Sequence, residues 1–459
     1  MIKVTPQKIL APGSDWRFLR ELRQAGTEGM MPSGPRHGSK PWGGREPPRA
    51  LPEDTVVPAA PDRADANRIL PPSPPQERRR DAWQEVAVRT ILPLWTASVI
   101  GLAVWAPVAL AHWPGQPPHQ MAQLGDLQLE GGAVIPNFRM SYVTHGTLNA
   151  ARDNAILFHH GFAANHHLFD HMIGPGRPLD TDKYFIICPD TLGATQSGYE
   201  HTTTATNSGL KMAFPFFNQR DIVKASYRLV TDALSIPHLL AVTGLSSGGS
   251  DSLQFAVSYP QFMDGILPIV GSALATTDVL FRRLLGVSIL ESCQGWEDGN
   301  YDVNPTLCAT NALSQWVHYF YTQEWWDTYV DTPEAYTRWR NTIGQDYLDV
   351  QDARDLYYRL MVPVRGSIGD TPGFGGDLGK VLKTIKAKTL FIYNPQDRFF
   401  QRKDVEAQLG MISNARALAI NSSAGHFIGV NADPHATRLM GEAIRTFLAE
   451  LSAQQKVAQ

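Results

Sequence analysis

The feature that most constrains this chain is the hexapeptide Gly244-Leu-Ser-Ser-Gly-Gly249, set between the apolar run Leu239–Gly244 and a helix-forming stretch from Asp251 to Ser258. Small residues on both sides of Ser246 permit a strand-to-helix turn whose backbone is crowded and strained. Such a turn lifts a serine oxygen above the end of a sheet. It also points the next amide, that of Ser247, toward a developing oxyanion, and the helix that follows adds its positive dipole end. A plain tight turn has the same letters. The strand before and helix after favour the chemical reading, with Ser246 as nucleophile and Ser247 as the rival hydroxyl.

The strands of such a sheet are read at Arg139–Gly146, Ala155–His159, Tyr184–Cys188, Leu239–Gly244, Gly265–Val270, Thr389–Tyr393 and Ala415–Ile420. Several are unbroken Val/Ile/Leu/Phe runs, the mark of strands buried on both faces of a mostly parallel sheet. Helix-like segments lie between them; Asp221–Leu234 opens with an acidic residue in its first turn. The alternation predicts an α/β fold, a mostly parallel central sheet flanked by helices. Residues 276–385 break it: they lack strand runs and are dense in aromatics, among them Trp316, Tyr319, Phe320, Trp325, Trp339 and Tyr357. They read as a helical cap inserted into a core of 112–275 and 386–459.

Two more strand ends carry chemistry. His159-His160-Gly161-Phe162 can present the Phe162 amide as a second oxyanion donor, with Gly161 allowing close approach, although alone it is equally a glycine turn. Asp397 follows the strand Thr389–Tyr393, and His426 follows Ala415–Ile420. A serine hydroxyl is too weakly acidic to attack unaided, so an imidazole must take its proton and a buried carboxylate must fix that imidazole's tautomer. Singly, Asp397 reads as a turn residue or cap and His426 as a surface histidine. Their joint placement, in the order Ser, Asp, His, favours catalytic roles. Asp404 is the rival acid, but it sits inside an expected helix. His166, His167 and His171 invite a metal reading, the last two being spaced for one helix face. With no Glu-x-x-His arrangement they are assigned to a polar loop, and neither metal nor organic cofactor is expected.

A net charge of −3 gives no electrostatic support to nucleic-acid binding. Residues 1–85, with Met31-Pro-Ser-Gly-Pro-Arg36 and Pro71-Pro-Ser-Pro-Pro75, cannot sustain helix or strand ladders and read as a disordered or mis-called N-terminal extension. Arg78-Arg79-Arg80 and Arg89 precede an apolar run from Ile91 to Ala111 that closes on Ala109-Leu-Ala111, the pattern of a signal peptide, placed at 86–111. A retained membrane anchor through 91–111 is the alternative. A translation start at Val86 or Val88 would bring that segment to the N-terminus. Of three cysteines, Cys188 sits in an apolar strand, while Cys293 and Cys308 flank a short polar segment and could bond in an oxidising compartment.

With these motifs stated, a resemblance can be named. Over roughly residues 138–445 the chain is similar to the homoserine O-acetyltransferase group of the α/β-hydrolase superfamily. The likeness is carried by Met140–Leu148, His160-Gly-Phe162, Thr191-Leu-Gly193, Phe214–Ile222, Gly244–Gly249, Tyr259-Pro260, Asp352–Asp355 and Gly425-His426. The resemblance implies an α/β-hydrolase fold with Ser246, Asp397 and His426 as the triad, and the Phe162 and Ser247 amides as the oxyanion hole. Three departures accompany it. The group carries Gly-Gly-Ser-Met-Gly-Gly at the elbow, an aspartate for the homoserine ammonium at the position of Phe427, and a carboxylate-binding cap arginine that aligns near Ser314. Without those charges, recognition of a small amino acid weakens while acyl-enzyme chemistry stays. The expectation is therefore an exported (periplasmic or secreted) hydrolase of a small-molecule ester or related acyl bond. Acyl transfer to an alcohol or amine is the alternative, and a homodimer is left open.

Overall fold

The computed structural model describes residues 117–196 and 202–458, and all of them fall within one compact unit, Asp62–Gln459. The segments 1–85 and 86–111 lie outside the described residues. Among the described residues no helix is long and apolar enough to cross a membrane.

Eight strands form the central sheet: β1 (Gln120–Gln128), β2 (Val134–His145), β3 (Ala155–His159), β4 (Phe185–Pro189), β5 (Leu239–Leu245), β6 (Met263–Ile269), β7 (Lys388–Tyr393) and β8 (Ala415–Ala419). Their spatial order is β1-β2-β4-β3-β5-β6-β7-β8. Only β2 runs against its neighbours; every pairing from β4 to β8 is parallel. The unbroken apolar runs behave as expected of strands covered on both sides. In β3, Ala155 and Leu157 pack into the cluster containing Ile222 and Leu253, while Ile156 and Phe158 face the opposite cluster with Ile444 and Leu448. Each such fully buried side chain contributes roughly 1.5–3 kcal/mol.

Two strand expectations are corrected. The strand β1 escapes the sequence reading because Gly125, at φ +65°, sits where the register with β2 shifts, and this breaks the alternation of buried Ala122, Leu124 and Leu127. The strand β2 begins at Val134 rather than Arg139, since Pro136 and Asn137 (φ +48°) mask its first turn of alternation.

The helices α1 (Gln219–Arg228) and α2 (Ser247–Ser258) pack on one face of the sheet, and α1 continues as a wider π turn, Leu229–Ala233. The Phe214–Ile222 run has a structural explanation. Asn218 caps α1 by accepting from the amides of Arg220 and Asp221, and the Asp221 carboxylate accepts the Asn218 amide in return. Between β6 and β7 come α3 (Thr277–Ser292), α4 (Thr306–Val317), α5 (Gln323–Tyr329), α6 (Pro333–Ile343), α7 (Ala353–Met361) and the short α8 (Leu378–Leu382). Cys293 and Cys308 are joined by a disulfide linking the end of α3 to α4, and Cys188 is a buried free thiol. After β7 follow α9 (Arg402–Leu409) and the C-terminal α10 (Pro434–Ala458).

Candidate functional site

At the junction of β5 and α2, Ser246 adopts φ 59°, ψ −118°, a conformation costing on the order of 1–3 kcal/mol for a residue with a side chain. The surroundings enforce it. The Ser246 amide donates to the Ile269 carbonyl at 2.9 Å, and its own carbonyl accepts from Ser250 at 3.1 Å. A Cβ on Gly248 would overlap the His159 carbonyl oxygen, so α2 reaches the end of β3 only with glycine there. At Gly161, by contrast, a Cβ would meet Leu168 and the Leu245 carbonyl at an ordinary 3.4 Å. The close approach falls to Gly248, not to Gly161 as its turn suggested.

The structure brings Ser246, His426 and Asp397 into one hydrogen-bonded chain. Nε2 of His426 lies 2.8 Å from Oγ of Ser246, and Nδ1 lies 2.7 Å from Oδ2 of Asp397. His426 and Asp397 are each 4% exposed, and Ser246 is half-buried. The other Asp397 oxygen accepts the amides of Phe399 and Phe400 at 2.7 and 3.2 Å. That environment suits a carboxylate; its partner imidazole then carries its proton on Nδ1, leaving Nε2 to accept from the serine. The rivals stand elsewhere: Asp404 is on α9, and the Ser247 hydroxyl is buried with no hydrogen-bond partner among the described residues.

Three residues hold the loops that carry this chain. Buried Asn394 donates to the carbonyls of Ser422 and Gly425 at 2.7 and 2.9 Å, tying the Asp397 loop to the His426 loop. The Phe320 carbonyl accepts the His426 amide at 2.8 Å. In the turn before Phe162, Nδ1 of His160 donates to the Gly161 carbonyl at 2.8 Å while Nε2 accepts the Thr191 amide at 3.1 Å. Burial pushes His160 down to about 4, so this ring works as a neutral donor–acceptor brace.

A cavity partly open to solvent includes Phe162, Ser246, Ser247 and His426 in its lining. Its walls are rich in rings: Trp316 and Phe320 from the inserted span, and Phe399, Phe400 and Phe427 from the core. Phe427 packs against Phe320 at 4.3 Å between ring centroids and against Tyr321 at 5.0 Å. Among the described residues lining it there is no carboxylate and one permanent cation, Arg283. The Arg283 guanidinium lies 3.9 Å from the Phe162 ring centroid and 4.9 Å from that of Trp316, and donates to the Arg359 carbonyl at 3.2 Å. Burial, with nearby Arg359 adding to it, pushes Arg283 down to about 9, so it keeps its charge at neutral pH. A cap arginine is therefore present at the cavity, but on α3. Ser314, where one was sought, turns its hydroxyl back to the Thr310 carbonyl. No spacing rule connects Arg283 to Ser246, and sequence reasoning missed it for that reason.

Chemically, the arrangement can move the Ser246 proton to His426, hold the resulting imidazolium against Asp397, and enclose an apolar group among rings. Comparison with known proteins adds to this. The sequence profile of the α/β hydrolase fold matches residues 154–432. A probable esterase of Corynebacterium glutamicum is 29% identical over 323 residues, 68% of this chain and 90% of the relative. A homoserine O-acetyltransferase of Desulfotalea psychrophila is 35% identical over 196 residues, 38% of this chain, and the match spans only 49% of that enzyme's length. Among solved structures, an acetylester hydrolase from Corynebacterium glutamicum superposes with a TM-score of 0.65 at 26% identity, covering 72% of this chain and 96% of the other. With a profile match over more than half its length and a sheet of matching architecture, this chain belongs to the α/β-hydrolase fold family, among relatives named as esterases and homoserine O-acetyltransferases.

Proposed function

We propose that the protein is an acyl hydrolase that cleaves an ester or related acyl bond through an acyl-enzyme on Ser246. The observation that carries this is the hydrogen-bonded chain Ser246–His426–Asp397 opening into a ring-walled cavity. In this reading, Oγ of Ser246 bonds to the substrate carbonyl carbon as its proton passes to Nε2 of His426. The carbonyl oxygen becomes an oxyanion met by the Phe162 and Ser247 amides. Collapse breaks the bond to the leaving alkoxide, which departs with the proton held by His426. A water molecule then gives a proton to His426, attacks the acyl carbon and frees Ser246.

The lining favours a neutral substrate over an amino-acid acceptor. Phe427 and its ring neighbours offer an ammonium group no counter-charge, and desolvating an unpaired charge is costly. Export of the catalytic body is part of the proposal, and the Cys293–Cys308 disulfide supports it, since such bonds persist in oxidising compartments.

The second reading is acyl transfer to an alcohol or amine, favoured by the 35% identity to a homoserine O-acetyltransferase. One experiment separates the readings. The purified chain is given aryl esters of graded acyl length and, in parallel, acetyl-CoA with homoserine. Ester hydrolysis lost in Ser246→Ala supports the first. Thiol release that depends on homoserine and exceeds hydrolysis supports the second. A folded protein inert to both, and unlabelled at Ser246 by a fluorophosphonate, would make it a binding module.

A further inference from the structure

Outside that hydrogen-bonded chain, three imidazoles from distant parts of the sequence converge. His119 immediately precedes β1, while His166 and His167 lie in the loop that leaves β3 and Phe162. Nε2 of His119 lies 2.6 Å from Nε2 of His166. The ring centroids of His119 and His166 are 4.2 Å apart, and those of His166 and His167 are 4.0 Å apart. One ring nitrogen from each of the three residues lies within 4.8 Å of the other two.

What lies behind two of these rings sets their direction. Nδ1 of His166 meets Oδ1 of Asp190 at 2.8 Å, with both side chains at most 2% exposed, and the same oxygen accepts the His166 amide at 3.2 Å. Nδ1 of His167 meets Oδ2 of Asp170 at 2.9 Å. A carboxylate that accepts a hydrogen bond from Nδ1–H fixes the tautomer, leaving Nε2 as the lone-pair nitrogen. Metal-binding histidines are characteristically oriented in this way. His171, once grouped with them by spacing, takes no part: its ring packs edge-on against Phe169.

We propose that His119, His166 and His167 bind a zinc-class divalent cation through their Nε2 atoms, with Asp190 and Asp170 as the orienting partners. Three neutral nitrogens suit zinc, cobalt, nickel or copper(II). They do not suit calcium or magnesium, which take oxygen ligands. Nitrogens bound to zinc at about 2.0–2.1 Å in a tetrahedron stand roughly 3.3 Å apart. His119 and His166 therefore separate by less than about 1 Å to admit the ion. His119 is half-buried at the start of a strand and is the ligand placed to yield. The cation takes the place of the His119 proton that lies between the two Nε2 atoms, and that proton moves to Nδ1 of His119, so the ring stays neutral. Water completes the coordination. So bound, the ion fastens the entry to β1 onto the loop that follows Phe162.

The test uses the full chain without an affinity tag, dialysed against a chelator and titrated with cobalt(II) and with zinc(II). The expected result is one equivalent bound, with the visible absorption of four-coordinate cobalt and a zinc-dependent rise in thermal midpoint. His119→Ala should weaken binding at least tenfold and abolish the thermal rise, and His167→Ala is the second variant should the first not fold. Asp190→Asn should weaken binding about 10–100-fold. Ser246→Ala should bind the ion as the parent does. Absence of saturable binding, or equal stoichiometry and affinity in the parent and the folded histidine variants, would overturn the proposal.

Discussion

Asp397 divides its two oxygens between different tasks: Oδ2 faces Nδ1 of His426 at 2.7 Å, and Oδ1 is held by the amides of Phe399 and Phe400. In Asp397→Asn the oxygen of the new amide stays with those two donors, which turns its NH₂ toward Nδ1. The imidazole must then accept at Nδ1 and carry its proton on Nε2, the wrong tautomer for receiving a proton from Ser246. Turnover of an aryl ester is expected to fall about 10⁴-fold while the thermal midpoint stays near that of the parent. A variant within tenfold of the parent rate would remove Asp397 from the mechanism.

Gly425 precedes His426 at φ +63°, and a Cβ there would stand 2.7 Å from the Phe320 carbonyl, the group that accepts the His426 amide. Gly425→Ala therefore pushes the imidazole off its mark. Displacements near 1 Å cost about 100-fold in rate, and alanine at positive φ costs at least about 1 kcal/mol of stability. Steady-state kinetics should show the loss in kcat with KM little changed; a loss confined to KM would contradict this placement.

Acid should weaken the fold through its buried histidines at pH values above the ordinary carboxylate range. Burial pushes His159 down to about 3 and both His160 and His171 down to about 4. Each ring takes up a proton near pH 6.5 when unfolded but resists it when folded, so the unfolded state binds more protons between these values. Stability is complete above about pH 6.5. It then declines as pH falls toward 4, by about 1.4 kcal/mol per pH unit for each group. The Nε2 of His171 is buried with no hydrogen-bond partner among the described residues, so His171→Phe should flatten that decline. Urea midpoints at pH 7 and pH 5 measure both effects, and parallel slopes in parent and variant would refute the assignment.

The disulfide joins Cys293 to Cys308 across a sequence separation of 15. Constraint of the unfolded chain by a loop of that size is worth about 3 kcal/mol. Cys293→Ser with Cys308→Ser, or a reductant, should lower the thermal midpoint without touching the Ser246–His426 geometry. An unchanged midpoint would assign the bond no stabilising part.

The middle of the sheet was legible because burial on both faces writes itself as unbroken apolar runs; seven of the eight strands were read, although β2 was begun five residues late and half-exposed β8 carries no such run. The eighth, β1, was hidden by the glycine bulge at Gly125. Ser246, Asp397 and His426 could be singled out because each lies just beyond the end of a strand or in the loop that leaves it, and parallel strands deliver their C-terminal ends to one edge. Arg283 and the meeting of His119 with His166 had no such rule behind them. Both depend on how far-separated segments pack, and sequence spacing carries no record of that. His171 misled for a related reason: its i+4 spacing from His167 implies a shared face only on a helix, and Asp170–Met172 forms a single 3₁₀ turn.

The excursion from β6 to β7 leaves and re-enters the sheet at adjacent strands, and Arg283, Trp316 and Phe320 all ride on it. The rings that would select a guest are thus shared between that span and the scaffold, which supplies Phe399, Phe400 and Phe427, whereas the three residues proposed to break its bond belong to the scaffold alone. Such a division lets the span be rewritten by insertion, deletion or graft with little disturbance to those three residues. The two are nonetheless clasped together: the Phe320 carbonyl holds the His426 amide, and Thr322 donates to the Ser423 carbonyl. Any transplant would have to reproduce those clasps to keep His426 in place.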